Sequence, residues 1–421
     1  MKNGRIKNVC KLFLPVVVAM QLGCTNATAQ QSEVIAAQKG ADAPSSCVTP
    51  ARWQIPSKNK ALLSAEFLPE IANRSVVLLG EFHDNYAHHQ WQLHTLSALY
   101  VLQKEMAIGL EMLPRSAQPV LDQWVAGQLS EEAFLQQVHW YEYWKFAADL
   151  YMPILQFARI NRVPLYALNV ERSLVKRVSQ EGWEAIPVAD RQGISNPALP
   201  SDAYLEILGA SYAMHGPGAK SHRHESQVDV AALKKDAKFM RFVQGQQLWD
   251  RAMAQEIKAI HQRQPKVMVV GIMGSGHIMN RYGVPHQLHD LGIADTAILL
   301  PWDGDEECDS LTPDVADAIF GVKEIAKSEK PKVKLGVVIE NGEVGGAQVK
   351  EVVAASVALA AGVQKGDLIT SIAGGKVTTI MDVIDTVQAT PAGRWLPLEV
   401  RRGKERLELV AKFPLEAASE R

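Results

Sequence analysis

The 421-residue sequence has little of three things that narrow its function: cysteine, net charge and long apolar runs. There are only four cysteines, and none lies in a C-x-x-C-H pattern, which excludes covalently attached haem. A formal net charge of −2 provides no basic surface for nucleic acid, so we expect no nucleic-acid partner. No G-x-S-x-G motif occurs in the chain, which argues against a serine hydrolase of that type.

The N-terminus has the features of a secretory signal. Four basic residues precede a short apolar stretch, residues 12–20, which cannot span a bilayer. Two processing sites compete. The L-G-C sequence at residues 22–24 resembles the end of a bacterial lipobox, in which Cys24 is lipidated, and the A-T-A sequence that ends at Ala29 is an ordinary cleavage site. We favour a lipoprotein anchored at the periplasmic face of the outer membrane, with a soluble periplasmic protein as the alternative.

Two cysteines, Cys47 and Cys308, follow this segment. An even number of cysteines in an oxidising compartment predicts one disulfide bond. Two free thiols are the alternative.

Composition divides the chain into five segments. We expect a signal peptide at residues 1–29, a linker rich in Ala, Gln, Ser and Pro at residues 30–58, an α/β domain at residues 59–310, a second linker at residues 311–332 and a small β-rich domain at residues 333–414. Alternating strands and helices predict a parallel, doubly wound sheet in the α/β domain. The long stretch between its third and fourth core strands predicts an inserted helical subdomain.

Four apolar runs in the α/β domain are predicted as buried strands, and polar residues follow or end each of them. The most informative of these polar residues are Glu81, His83, Glu111 and His277. Ligands of open α/β sheets bind beyond the carboxyl ends of the strands, so these four residues are the candidate site. Two imidazoles and two carboxylates suit a divalent metal or acid–base activation of water. For either histidine alone, the alternative is a helix cap or a hydrogen bond to the backbone.

The motifs GEFHDN, GLEM, ALN, QLWDRAMA and GSGH, in this order over about residues 62–302, resemble the ChaN family of haem-binding uptake lipoproteins. That family belongs to a wider group with the Tiki proteases and erythromycin esterases. The resemblance implies a haem or iron complex as ligand, a role in iron or haem acquisition, and haem shared between the subunits of a homodimer. Because an axial haem ligand is usually His, Tyr, Met or Cys, the candidates for it are Tyr86, His88, His89, Tyr212 and His215. Tyr86, His88 and His89 lie in the first turn of a predicted helix that leaves the site, so an exposed surface residue is the alternative for each. A metal-dependent hydrolase of the Tiki type, using the two G-x-x-H motifs, is the alternative function.

Residues 333–414 resemble a PDZ domain of the HtrA-protease type, most specifically through AAGVQKGDLI at residues 360–369. The resemblance implies capture of a partner's C-terminal peptide as an added strand. The expected peptide-binding residues are Leu335, Gly336, Val337 and Val338. An appendage with an internally filled groove is the alternative.

Overall fold

The computed structural model describes residues 47–215, 230–304, 308–323, 334–342 and 345–415. Cys24, with the rest of the signal sequence, lies outside the described residues, and so does the side chain of His215. Within the described part of the chain, no helix is long and apolar enough to cross a membrane.

The first domain is built on an eight-stranded sheet. Its strands are β1 (Trp53–Ile55), β2 (Lys60–Leu62), β3 (Val76–Leu79), β4 (Met106–Pro114), β5 (Leu165–Asn169), β6 (Met268–Ile272), β7 (Thr296–Trp302) and β8 (Ala318–Gly321). Their order in the sheet is β2-β1-β8-β7-β3-β6-β4-β5. The strands from β8 to β5 in this order pair in parallel, while β1 pairs antiparallel with β8 and β2. The predicted parallel sheet is confirmed, with an antiparallel addition at one edge.

The central strand β3 shows why this sheet is covered on both faces. All four of its side chains are fully buried. Because side chains alternate along a strand, Val77 and Leu79 enter one core layer, and Val76 and Leu78 enter the other. The strand therefore reads as a continuous apolar run, as is typical of doubly wound sheets.

Helices cover both faces of the sheet. Those of this domain are α1 (Ser64–Ile71), α2 (Tyr86–Leu102), α3 (Gln118–Val125), α4 (Glu131–Gln137), α5 (Trp140–Tyr143), α6 (Ala148–Asn161), α7 (Arg172–Glu181), α8 (Asp202–His215), α9 (Val230–Leu233), α10 (Ala237–Arg263) and α11 (Val284–Asp290). Helices α1 to α6 pack on one face, and α10 and α11 pack on the other. Helices α7 to α9 lie between β5 and α10 in the chain, where the helical subdomain was expected.

The sheet extends beyond the predicted domain boundaries. Strand β1 lies in the segment predicted as the first linker, and β8 lies in the segment predicted as the second. Trp53 of β1 is 1% exposed, and its ring lies 4.8 Å from that of Phe67 and 5.1 Å from that of Phe320. Strands of three or four residues show too few alternations of apolar and polar residues to be recognised from sequence. The burial of these rings instead shows that β1 and β8 belong to the first domain.

The second domain is a small antiparallel sheet with two helices. Its elements are β9 (Val337–Asn341), β10 (Ala347–Val352), α12 (Val357–Ala360), β11 (Leu368–Ile372), β12 (Gly375–Lys376), α13 (Ile380–Ala389), β13 (Trp395–Arg402) and β14 (Glu405–Lys412). The strand order is β14-β13-β11-β10-β9, with β12 paired to β11. Strand β9 is thus an edge strand, and α13 begins beside it, where the Ile380 N–H donates to Asn341 Oδ1 at 2.8 Å.

Candidate functional site

The carboxyl ends of three neighbouring strands, β3, β6 and β4, bring the four predicted site residues together. Gly80 and Glu81 follow β3 directly, Glu111 lies within the long strand β4, and His277 lies in a helical turn just after β6. The Ser275 N–H donates to the Glu81 carbonyl oxygen at 2.9 Å, which joins the two G-x-x-H motifs. The predicted convergence of these side chains is therefore observed.

Glu81 and His83 form the first carboxylate–histidine pair. His83 Nδ1 lies 2.5 Å from Glu81 Oε1, and the Tyr151 hydroxyl donates to the same oxygen at 3.2 Å. Glu81 is 1% exposed, whereas the His83 side chain is 28% exposed. The His83 ring lies 4.6 Å from the Trp144 ring and 4.8 Å from the Phe146 ring. The buried Glu81 therefore orients the His83 ring, which is partly exposed at the surface beside Trp144 and Phe146.

Glu111, His277 and Asp250 form a second, more deeply buried group. His277 Nδ1 lies 2.6 Å from Asp250 Oδ1, and His277 Nε2 lies 3.4 Å from Glu111 Oε1. The Gly274 N–H donates to Glu111 Oε2 at 2.7 Å. The Tyr204 hydroxyl donates to Asp250 Oδ2 at 2.9 Å. His277 is therefore held between two carboxylates, one of which is itself oriented by a tyrosine.

Gly274 is where the two groups approach each other. A Cβ atom at this position would lie 2.8 Å from His83 Cε1 and 3.7 Å from Glu111 Oε2. The absence of a side chain lets the His83 ring rest against the backbone next to Glu111.

The charges of the cluster shift the pKa values of both histidines upward. Burial lowers the pKa of His83, but the hydrogen bond to Glu81 and the charges of Glu111 and Glu81 outweigh it. Burial also lowers the pKa of His277, and the charges of Glu111 and Asp250 raise it well above the ordinary value. Burial raises the pKa of Glu111, but the charge and hydrogen bond of His277 lower that pKa by more. The net shift of the Glu111 pKa is therefore downward. The cluster therefore favours a carboxylate at Glu111 and an imidazolium at His277.

Two of the five candidate haem ligands are buried and bonded within the protein. His88 is 0% exposed; its Nδ1 accepts from the Phe82 N–H at 2.9 Å, and its Nε2 lies 3.0 Å from Asp303 Oδ2. His89 is 1% exposed, with Nε2 3.1 Å from the His83 carbonyl oxygen and Nδ1 3.2 Å from Gln92 Oε1. Because both nitrogens of each ring are engaged, the structure does not support His88 or His89 as haem ligands. Both rings brace the start of α2 against the strand ends.

The other three candidates are placed differently. Tyr86 is half-buried at the first position of α2, close in sequence to the site. Tyr212 packs in the helical subdomain, where its ring lies 5.6 Å from that of Phe239 and 5.3 Å from that of Phe242. His215 ends α8, and its side chain lies outside the described residues. Among the candidates whose side chains the structure describes, Tyr212 on α8 therefore lies in a different part of the fold from Tyr86, His88 and His89 on α2.

The site side chains are paired with one another and are not arranged as a preformed metal centre. Among the described residues, no group of three or more His, Cys, Asp or Glu side chains is placed to hold a metal ion. The predicted metal set of Glu81, His83, Glu111 and His277 instead forms the two hydrogen-bonded groups described above.

Three residues of this cluster were not among the predicted site residues: Asp250, Tyr204 and Tyr151. Asp250 is fully buried on α10, beside the apolar Met253 and Ala254. A carboxylate on a buried helix face is costly unless it is paired. That position, and the place of Asp250 within the QLWDRAMA motif, are the signals in the sequence that could have identified it as a partner of the site.

Comparisons with known proteins agree with this architecture. The model of the family described as haem-binding uptake, Tiki superfamily, ChaN matches residues 67–288, which is more than half of the chain. This chain belongs to the ChaN family. A PDZ-domain model matches residues 348–402, so a PDZ domain follows the ChaN domain. A search of curated proteins found no match.

A search of the solved structures gave matches over both domains. ChaN of Campylobacter jejuni, described with cofacial haem binding, is 18% identical, with a TM-score of 0.48, and the match covers 64% of this chain and 95% of that one. A mutant erythromycin esterase in its open conformation is 11% identical, with a TM-score of 0.35, and the match covers 60% of this chain and 77% of that one. The HtrA3 PDZ domain bound to a phage-derived ligand is 27% identical, with a TM-score of 0.18 and coverage of 19% and 83%.

The predicted peptide-binding residues of the PDZ domain lie at the start of its edge strand. Leu335 is 4% exposed and packs in the core, whereas Val338 on β9 is 50% exposed. Gly336 has a φ of +81°, and a Cβ atom there would lie 2.3 Å from Ser356 Cβ. The loop is further fixed because the Ala358 N–H donates to the Leu335 carbonyl at 2.8 Å. A rigid loop next to an open strand edge suits the capture of an extended peptide.

Proposed function

We propose that this protein binds haem through the ChaN domain and a C-terminal peptide through the PDZ domain, and that it acts in haem or iron acquisition outside the cytoplasm. The observation that carries the haem proposal is His83. Its Nδ1 is held by Glu81, and no partner of its Nε2 is found among the described residues. A histidine that donates one ring nitrogen to a carboxylate presents the other as a well-oriented iron ligand.

The surroundings of His83 fit the apolar face of a porphyrin. Trp144 and Phe146 flank the imidazole, and the adjacent Phe82 is 48% exposed. Tyr86, three positions after His83 at the start of α2, is the second candidate in this region. Haem bound here would lie on the surface, so a second subunit could cover its other face.

A matched pair of histidine substitutions tests the assignment. His83→Ala removes the proposed ligand, and His94→Ala removes an exposed histidine from α2 of the same domain. Titration with haem should give a saturable Soret band in the wild type and in His94→Ala. In His83→Ala we expect the affinity to fall at least about tenfold, which corresponds to 1.4 kcal/mol of binding free energy. Equal binding by all three proteins, with unchanged circular dichroism, would remove His83 from the site.

The proposed location and assembly have separate tests. Cys24→Ser should release the protein from the membrane fraction if Cys24 carries the lipid anchor, whereas an already soluble wild type would support cleavage after Ala29. Sedimentation with and without haem should show a dimer in the presence of haem if two subunits share it. An unchanged monomer would contradict the shared arrangement.

Hydrolysis is the second candidate, and one buried oxygen favours it. Glu81 Oε2 is buried without a hydrogen bond in the described structure, 3.7 Å from His89 Nε2. An unsatisfied carboxylate oxygen can accept a proton from an attacking water, as general-base catalysis requires. Peptides that bind the PDZ domain should then be cleaved by the wild type and not by Glu81→Gln. Intact peptides after prolonged incubation, with and without added divalent metal, would exclude this candidate.

A further inference from the structure

Two cysteines that are distant in sequence lie near each other on the face of the sheet that α10 and α11 cover. The partly buried Cys47 packs on the core layer that contains Trp302, and Leu311 packs on the same layer. The Leu311 N–H donates to the Cys308 carbonyl at 3.1 Å, so Cys308 lies one turn away from this contact. The two thiols, unbonded in this structure, are close enough to interact directly.

The backbone that follows Cys47 is fixed by packing and by hydrogen bonds to the sheet. Val48 is 2% exposed in the same core layer. Pro50 forms a bridge with Gly321 at the end of β8, and the Ala51 N–H donates to the Gly321 carbonyl at 2.8 Å. The position of Cys47 beside Cys308 is therefore set by the sheet.

We propose that Cys47 and Cys308 form a disulfide bond that ties the N-terminal segment to the chain that follows β7. The proposal rests on the proposed export of the protein, because disulfides persist in oxidising compartments. Each thiol loses its proton and the two sulfurs join. The two electrons pass to a protein disulfide of that compartment, which is reduced to two thiols.

The bond would also steady the entrance of the haem site. Asp303, five positions before Cys308, accepts from Asn85 Nδ2 at 3.1 Å and contacts His88 Nε2 at 3.0 Å. These contacts fix the start of α2, which lies next to His83. A cross-link at Cys308 limits the movement of the segment that carries Asp303, so its reduction should loosen this region.

The test uses the purified full-length chain, equilibrated in either reduced or oxidised glutathione. Free thiols are then alkylated, and peptides are mapped by mass spectrometry. We expect a linked Cys47–Cys308 peptide after oxidation, and none in Cys47→Ser or Cys308→Ser. Oxidation should raise the unfolding midpoint of the wild type by on the order of 10 °C, because the closed loop is long, and should not raise that of either variant. Two alkylated thiols after oxidation, or pairing with Cys10 or Cys24 instead, would overturn the proposal.

This experiment separates the disulfide from the proposed haem function. Formation of the bond in glutathione does not require haem, and haem titration of the Cys47→Ser/Cys308→Ser double variant does not require the bond. Hydrogen exchange at residues 85–88 tests whether the disulfide bond affects the haem site. The amides of these residues should exchange faster after reduction in the wild type only. Equal exchange in the oxidised and reduced protein would show that the bond does not steady the site.

Discussion

Adding a single methyl group at Gly274 should damage the site without removing any of its functional groups. The φ of −59° and ψ of 138° at Gly274 are accessible to alanine, so the backbone itself tolerates Gly274→Ala. The new Cβ would lie 2.8 Å from His83 Cε1. The imidazole cannot retreat freely, because Glu81 holds its Nδ1 at 2.5 Å and Trp144 and Phe146 pack around it. The substitution must therefore displace the ring.

The size of this effect follows from the cost of overpacking. Inserting a methyl group into a well-packed site costs about 1–3 kcal/mol. If the cost falls on the geometry of His83, haem affinity should drop by about 5- to 150-fold, since 1.4 kcal/mol corresponds to a factor of ten. If part of it falls on folding, the unfolding midpoint should drop by about 2–4 °C for each kcal/mol.

Gly276→Ala is the matched control, because Gly276 belongs to the same GSGH motif and a Cβ atom there would meet no neighbouring atom. No heavy atom lies within 4 Å of a Cβ at Gly276. Haem titration and thermal unfolding of the three proteins should show Gly276→Ala close to the wild type and Gly274→Ala impaired. Wild-type haem affinity and spectrum in Gly274→Ala would refute the placement of His83 against this glycine.

Two further predictions concern the buried histidine and the PDZ loop. Because the pKa of His277 is raised in the folded state, its contribution to stability is complete below the ordinary histidine pKa and is lost as pH rises through the folded value. The stability difference between wild type and His277→Gln, measured by urea unfolding, should therefore narrow at alkaline pH; a widening difference would contradict the assignment. In the PDZ domain, Gly336→Ala combines a φ of +81° with a clash against Ser356, whereas Gly374→Ala has a φ of +80° and open space. Fluorescence polarisation with C-terminal peptides should show lost binding only in Gly336→Ala, and equal binding by both variants would exclude the loop from the groove.

The arrangement of the strands and the site at their ends could be predicted from the sequence because both depend on local patterns. Buried strands of a doubly wound sheet are continuous apolar runs, and polar residues directly after them are expected to point into the site. Glu81 and His277 were identified in this way, and the structure places both at neighbouring strand ends.

The remaining contacts depend on packing that no local pattern encodes. Asp250 and His277 lie on different elements, and only the docking of α10 beside β6 joins them at 2.6 Å. His88 and His89 lie in the first turn of α2, where the sequence alone does not distinguish an exposed histidine from a buried one. The Asn85 side chain caps that helix by accepting from the Ala87 and His88 N–H groups, and this fixes the turn so that both rings face the sheet.

The most direct test of the central claim is an optical titration of the purified wild-type chain with ferric haem, with bound metals measured on the same sample. Haem binding by the ChaN domain predicts a saturable Soret shift at a defined stoichiometry, with little tightly bound divalent metal. Stoichiometric divalent metal and no Soret shift would contradict haem binding and favour the hydrolytic alternative.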